Sequence, residues 1–139
     1  LPTLCEWVIP LVQSNPGSRM TVNALPQPLD GVWQLISGEC AEPGQTMQVY
    51  DMGQMSARKM ICSGHFSFIT IKDGTLYCAA SGVCRIDDNT YTESPDLSSY
   101  APLLGQHYAF QFRVEGELWH KQRYTDGVLV EYEVWRRVG

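Results

Sequence analysis

The three histidines are the residues of this chain best suited to proton transfer near neutral pH. They are His65, His107 and His120. None stands in a His-x-His or His-Glu-x-x-His arrangement, the local spacings that bring two imidazoles to one metal ion. His65 and His120 each lie in a segment of alternating character, so either side chain could point into an interior space. We therefore expect no metal ion and no cofactor, and keep these two histidines as candidates for acid–base chemistry.

Carboxylates near the end of the chain are the second candidate group. Glu131 and Glu133 alternate with their neighbours and share one face of an extended segment with Trp135. The opposite face carries Val130, Tyr132 and Val134. Hydrophobicity alone would bury that opposite face, so from the residues alone both orientations are open. A carboxylate that points inward must be paired, hydrogen-bonded or protonated.

A glutamate and a histidine that met in an apolar interior would allow two functions. They could bind the polar end of a ligand whose body lies against aromatic side chains. They could also act as a general acid–base pair on a bound substrate. The candidate catalytic residues are Glu133, His65 and His120. The chain has no Gly-x-Ser-x-Gly motif and no phosphate-binding loop, so a serine nucleophile is not predicted.

Composition restricts the class of protein. The chain has 139 residues, of which 44% are hydrophobic and 18% charged, which is typical of one globular domain. Its net charge is -5 and its basic residues are scattered, so nucleic acid is not an expected partner. No apolar run approaches the roughly 20 residues of a membrane-spanning helix.

The first 28 residues differ from the rest of the chain. They contain five of the eight prolines and no sustained periodicity, which predicts an irregular N-terminal arm over 1–28 and a domain over 29–139. Residues 1–19 precede Met20 and could be an upstream extension. The arm lacks the basic start of a signal peptide, which favours a cytoplasmic location, with export after signal removal as the alternative.

The domain is dominated by two-residue alternation, which predicts strands. The segments are 32–38, 46–52, 57–64, 65–74, 75–86, 90–94, 106–117, 118–127 and 128–138. Asp-Gly pairs at 73–74 and 126–127 indicate tight hairpins, and Gly82 indicates a bulge. One helical turn is expected within 94–105. Such a pattern predicts an all-β protein, an antiparallel up-and-down β-barrel of about eight to ten strands.

The five cysteines indicate no particular disulfide pattern or metal site. They are Cys5, Cys40, Cys62, Cys78 and Cys84. Their number is odd and their spacings match no zinc site. Free thiols are favoured over a set of disulfides, which stays an alternative.

One family resemblance is carried by the two ends of the domain. Gly31-x-Trp33 in "LDGVWQL" and the arginines of "EVWRRV" resemble the calycin signature of lipocalins and fatty-acid-binding proteins. With "GHFSF", "GVCRIDDNTYTE" and "LLGQHYAFQFRVEGELW", they are similar to an uncharacterised family of bacterial lipocalin-like domains across residues 29–138. The resemblance implies that Trp33 closes one end of a barrel under Arg136 or Arg137. It also implies that Glu133 and Trp135 face inward.

Together these patterns predict a lipocalin-like barrel that binds a small, largely apolar or amphipathic molecule. The expected ligand-binding residues are Trp33, His65, Glu93, Phe110, Phe112, Trp119, His120, Tyr124, Glu133 and Trp135. An enzyme of the isomerase, cyclase or hydrolase type, using the same interior, is the first alternative. A structural or interaction module, dimeric through the apolar arm, is the second.

Overall fold

The computed structural model describes residues 27–139. The predictions made for residues 1–19, for Cys5 and for nearly all of the arm lie outside the described residues. Within the described range, every cysteine is a free thiol, namely Cys40, Cys62, Cys78 and Cys84. No helix in this range is long and apolar enough to cross a membrane.

Nine strands and one short 3-10 helix make up the described chain. They are β1 (Gly31–Cys40), β2 (Gln48–Val49), β3 (Met55–Cys62), β4 (His65–Lys72), β5 (Thr75–Asp87), β6 (Thr90–Ser98), the 3-10 helix Ala101–Leu103, β7 (Tyr108–Glu115), β8 (Leu118–Thr125) and β9 (Val128–Arg137). The Asp-Gly pairs occupy the two-residue turns β4–β5 and β8–β9, where both residues have positive φ. Gly82 marks a register shift between β5 and β6, as expected of a bulge.

The sheet is an antiparallel meander that closes on itself. Strands β3 to β9 pair in chain order, and β1 pairs both with β3 and with β9. The result is a closed up-and-down barrel of eight strands, with β2 as a short extra strand beside β1. The all-β barrel predicted from the alternation is therefore confirmed. Closure leaves the barrel strands without a long free edge.

Two sequence-based strand predictions were wrong in extent. The segment 46–52 forms only the two residues of β2, and the next residue, Tyr50, places its hydroxyl 2.9 Å from Glu133 instead of extending the strand. The segment 90–94 is extended by Pro95 and its successors, so that β6 continues to Ser98. The helical turn is confined to three residues, Ala101–Leu103.

A contact between the side chains of Trp33 and Arg137 links the first strand of the barrel to the last. The guanidinium carbon lies 4.3 Å from the centre of the Trp33 ring, within the range of a cation–π contact. Arg137 also donates to the carbonyl oxygens of Asp30 and Pro28, and the Trp33 indole donates to Leu29 O at 2.8 Å. At Gly31, φ is 139° and an added Cβ would lie 2.5 Å from Arg137 Nη1, so this position requires glycine.

Aromatic side chains fill the barrel above this closure. Trp119 packs edge-on against Trp33 at 5.3 Å and against Tyr91 at 5.2 Å between ring centres. Tyr91 lies 6.2 Å from Phe110. Trp33, Tyr91 and Trp119 are all fully buried. We call these four residues, Trp33, Tyr91, Phe110 and Trp119, the aromatic floor, because they lie between the closed end and the interior space.

A variant in which the Trp33 side chain is truncated should therefore unfold at a lower denaturant concentration than the wild-type protein. We expect Trp33→Ala to reduce the free energy of unfolding by about 3 to 5 kcal/mol, the usual loss for a buried aromatic residue. The matched control is Tyr124→Ala, because Tyr124 is 47% exposed on the outer face and should lose less than about 1 kcal/mol. Urea titration followed by circular dichroism measures both. Equal losses in the two variants would contradict the role assigned to the closure.

Candidate functional site

A cavity of about 430 Å³ lies inside the barrel above the aromatic floor. Its apolar and aromatic lining includes Leu35, Met55, Ala57, Phe66, Phe68, Leu103, Tyr108, Phe110 and Trp135. Its charged lining is Glu42, Lys59, Glu93, Lys121, Arg123, Glu131 and Glu133. The volume is in the range of sites for small organic molecules. The cavity therefore combines apolar walls with an unusual concentration of buried charge.

Lys59 and Glu93 form a buried ion pair in this cavity. The ammonium nitrogen lies 2.8 and 2.9 Å from the two carboxylate oxygens, and the side chains are 3% and 6% exposed. Four aromatic rings, those of Phe68, Tyr91, Trp119 and Trp135, surround the nitrogen at 5.2 to 5.9 Å. The ammonium thus sits in an aromatic cage, where cation–π attraction offsets part of its lost hydration.

Lys121 is the second buried cation. Its nitrogen lies 3.1 Å from Glu133, 3.9 Å from Glu131 and 4.0 Å from Glu93, and 3.7 Å from the centre of the Phe110 ring. Burial alone would lower the pKa of Lys121, but the carboxylates, Glu133 foremost, outweigh it and raise that pKa above its usual value. Lys121 therefore stays protonated and neutralises the carboxylates around it.

The two lysines are not equivalent. Burial lowers the pKa of Lys59, and the charge of Lys121 lowers it further, against the opposing effect of Glu93. Lys59 has only one carboxylate at bonding distance and shares it with a second cation. Its proton is thus the more easily lost of the two.

The two glutamates of β9 also differ. Burial alone would raise the pKa of Glu133, but Lys121 and Lys59 outweigh it and hold that pKa below its usual value. Tyr50 and the Trp135 indole also donate to Glu133, at 2.9 and 3.1 Å. Burial and the charge of Glu133 raise the pKa of Glu131, although Lys121 and Arg123 oppose them. Glu131 accepts from Arg123 at 3.2 Å, nearer the open end of the barrel.

The structure brings some of the expected ligand-binding residues together and separates others. Glu93, Phe110, Glu133 and Trp135 line the cavity. Trp33 and Trp119 lie beneath it in the aromatic floor, and Phe112 is partly buried against the same core. Tyr124 lies on the outer face and is 47% exposed. The inward orientation of Glu133 and Trp135, implied by the family resemblance, is the one observed.

Neither candidate histidine lines the cavity. His65 is exposed at the start of β4, on the face opposite Phe66. His120 lies on the outer face of β8, where its Nδ1 is 2.8 Å from the Tyr132 hydroxyl. Each histidine is the immediate neighbour of a buried residue, Phe66 or Trp119, so strand alternation turns both imidazoles outward. The Glu133–histidine pair expected for acid–base catalysis is thus not formed.

Two lysines, and not the histidines predicted from sequence, lie inside the cavity beside the glutamates. Lys59 and Lys121 were not among the candidate residues, and a lysine in a strand is normally a surface residue. The signal that would have identified them is their position in the alternation of inward-facing and outward-facing residues along each strand. Lys59 alternates with Ala57 and Ile61, and Lys121 shares a face with Trp119, all of which are buried. Arg123 and Tyr50 were likewise outside the predicted site, and Glu131 was named among the candidate carboxylates but not among the expected ligand-binding residues.

Comparison with known proteins assigns no family. No protein-family model matches the chain, and no curated protein matches it at a significant level. Within residues 27–139, no group of three His, Cys, Asp or Glu side chains is arranged so that it could hold a metal ion. The geometry of the chain therefore defines its class, a closed eight-stranded antiparallel barrel with a charged interior.

The opposite pKa shifts of Glu131 and Glu133 predict different effects of neutralising each carboxylate on the free energy of unfolding. At pH 7, Glu133→Gln should lower the free energy of unfolding by about 3 kcal/mol, because it leaves Lys121 without its nearest partner. Glu131→Gln should lower it less or raise it, since folding disfavours the charged form of Glu131.

The pH dependence has a defined sign for each glutamate. The stability from Glu133 is present above its unfolded pKa and is lost as pH falls through its lowered folded pKa, so the deficit of the Glu133→Gln variant should shrink in acid. The folded pKa of Glu131 is raised, so wild-type protein should lose stability relative to the Glu131→Gln variant as pH rises above about 4.3. Urea titrations at several pH values measure both trends. Parallel curves for the two variants would contradict the assignment.

Proposed function

We propose that the protein binds a small, largely apolar or amphipathic molecule in the barrel cavity, as its resemblance to lipocalins also implies. The observation that carries the proposal is the open volume of about 430 Å³, whose lining combines apolar side chains with convergent charged side chains. An interior built only for stability would be filled by side chains. Walls of this kind accept an apolar body, and convergent polar groups orient one polar end.

The charges favour a ligand with hydrogen-bonding capacity at its inner end. An ammonium carries three donors, and Lys121 has one carboxylate oxygen at 3.1 Å, with the other two nearest at 3.9 and 4.0 Å. A carbonyl or hydroxyl oxygen at the end of a ligand would complete its hydrogen bonds. A cationic end is disfavoured, because Lys59 already occupies the aromatic cage.

Arg123 and Tyr108 provide contacts nearer the open end. The guanidinium carbon of Arg123 lies 5.5 Å from the centre of the Tyr108 ring, and the ion pair with Glu131 holds it there. The side chain of Arg123 is 27% exposed, so it spans the boundary between cavity and solvent. It suits an amphipathic ligand whose outer end remains hydrated.

Binding of a neutral fluorescent probe tests the proposal. N-phenyl-1-naphthylamine should show a saturable rise in fluorescence with one site per chain, because its emission increases in an apolar environment. Ala57→Trp directs an indole from the wall into the cavity and should weaken binding at least about tenfold, or about 1.4 kcal/mol. Ser56→Trp adds the same side chain to the exposed face of the same strand and is the matched control.

Two results would contradict this function. One is an absence of saturable binding to the wild-type protein. The other is equal affinity in the Ala57→Trp and Ser56→Trp variants, which would place the probe on the outer surface. Circular dichroism should confirm that both variants remain folded.

A further inference from the structure

We propose that Lys59 captures carbonyl compounds: its amine condenses with an aldehyde bound in the cavity to form an imine and release water. The inference rests on the proposed binding function and names a class of ligand for the same site, aldehydes with an apolar, preferably aromatic, body. It follows from the position of Lys59, which is 2% exposed yet lines the cavity, and from the groups around its nitrogen.

Glu93 supplies the proton transfers that such a condensation needs. It holds the Lys59 ammonium through both oxygens, at 2.8 and 2.9 Å. Transfer of one proton from Lys59 to Glu93 along this hydrogen bond gives a neutral amine and a carboxylic acid and leaves the net charge of the pair unchanged. The neutral amine has the lone pair required for attack on a carbonyl carbon.

The reaction then balances with no further reagent. The amine nitrogen bonds to the aldehyde carbon, and the carbonyl oxygen takes the proton held by Glu93. The nitrogen, now positively charged, returns a proton to Glu93, which leaves a neutral carbinolamine. Glu93 next protonates the hydroxyl group, water departs, and the nitrogen lone pair forms the C=N bond. The products are a protonated imine, the Glu93 carboxylate and one water.

The surroundings of Lys59 suit the product as well as the reactant. The protonated imine carries the same positive charge as the original ammonium, so it retains Glu93 and the aromatic cage as partners. The walls near it are aromatic, with Phe66, Phe68 and Trp135 at the cavity surface. These side chains can pack against an aryl aldehyde and limit the water available for hydrolysis.

Lys121 is the less suitable amine. Three carboxylates lie within 4.0 Å of its nitrogen, which keeps it protonated and without a free lone pair. The charged and titratable groups that face Lys59 are Glu93 and Tyr91 on β6, Lys121 on β8, and Glu133 on β9. Burial and Lys121 favour the neutral amine at Lys59, in keeping with the geometry.

Reductive trapping with trans-cinnamaldehyde tests the proposal. The chain has three lysines, Lys59, Lys72 and Lys121, so peptide mapping assigns any adduct unambiguously and separates it from reaction at the N-terminal amine. With sodium cyanoborohydride present, we expect one reduced cinnamyl group on Lys59. Lys72→Arg, which removes a lysine on the exposed end of β4, should leave this adduct unchanged.

Substitution of Lys59 should remove the adduct without removing the cavity. Lys59→Met should lower the adduct yield within the barrel at least about tenfold, because no neutral amine remains there. Since Lys59→Met leaves the buried Glu93 without its nearest partner, the double variant Lys59→Met/Glu93→Gln provides a neutral replacement for the pair if the single variant does not fold.

A binding control distinguishes failure of the chemistry from failure of the site. Cinnamyl alcohol has no carbonyl group, and it should displace N-phenyl-1-naphthylamine from wild-type protein and from the Lys59 variants. Displacement by the alcohol with no adduct on Lys59, or with an adduct on Lys72 or Lys121 instead, would overturn the imine proposal and leave binding intact. An absence of both displacement and adduct would overturn both proposals.

Discussion

The pairing of β1 with β9 is the constraint on which the rest of the structure depends, because it turns a meander into a barrel. The two strands are joined through backbone hydrogen bonds and through the contact of Arg137 with the Trp33 ring at 4.3 Å. Without this pairing, both strands would be sheet edges, and the interior charges would be open to water. The barrel wall keeps water away from the buried ion pairs. The strength of the electrostatic interactions in the cavity therefore depends on the closure of the barrel.

Closure and cavity divide the interior into two parts with different physical roles. Near the closed end, the aromatic floor buries large side chains and accounts for much of the apolar stabilisation. Towards the open end, Lys59, Lys121, Glu93 and Glu133 replace the apolar residues that would pack best. The rings of the floor also face the lysine nitrogens, at 5.6 and 5.8 Å from Trp119. The same aromatic residues therefore pack in the hydrophobic core and make cation–π contacts with the buried lysines.

The fold could be predicted from sequence because its signals are local. Alternation and Asp-Gly turns each depend on neighbouring residues, whereas the contact of Trp33 with a last-strand arginine was implied by the family resemblance. The site could be predicted only in part, because it depends on the absolute phase of each strand. Glu133 and Trp135 were placed correctly, whereas His120 was placed inside in error and the adjacent Lys121 was overlooked. A shift of one position moves a side chain to the other face of the strand, and a lysine in a strand is normally a surface residue.

Stability alone does not account for the buried charges. Apolar residues of similar volume in place of a buried ion pair are often neutral or stabilising, and the removal of one partner alone is costly. The charges of Lys59 and Glu93 thus compensate each other, but the stability of the barrel does not require this pair. What it adds is a buried, hydrogen-bonded ion pair beside open space. Lys121 contributes by holding the carboxylates of β9, which leaves Lys59 with one partner and the weaker hold on its proton. The asymmetry between two lysines in one cavity is therefore the feature on which the proposed reaction of Lys59 with carbonyl compounds depends.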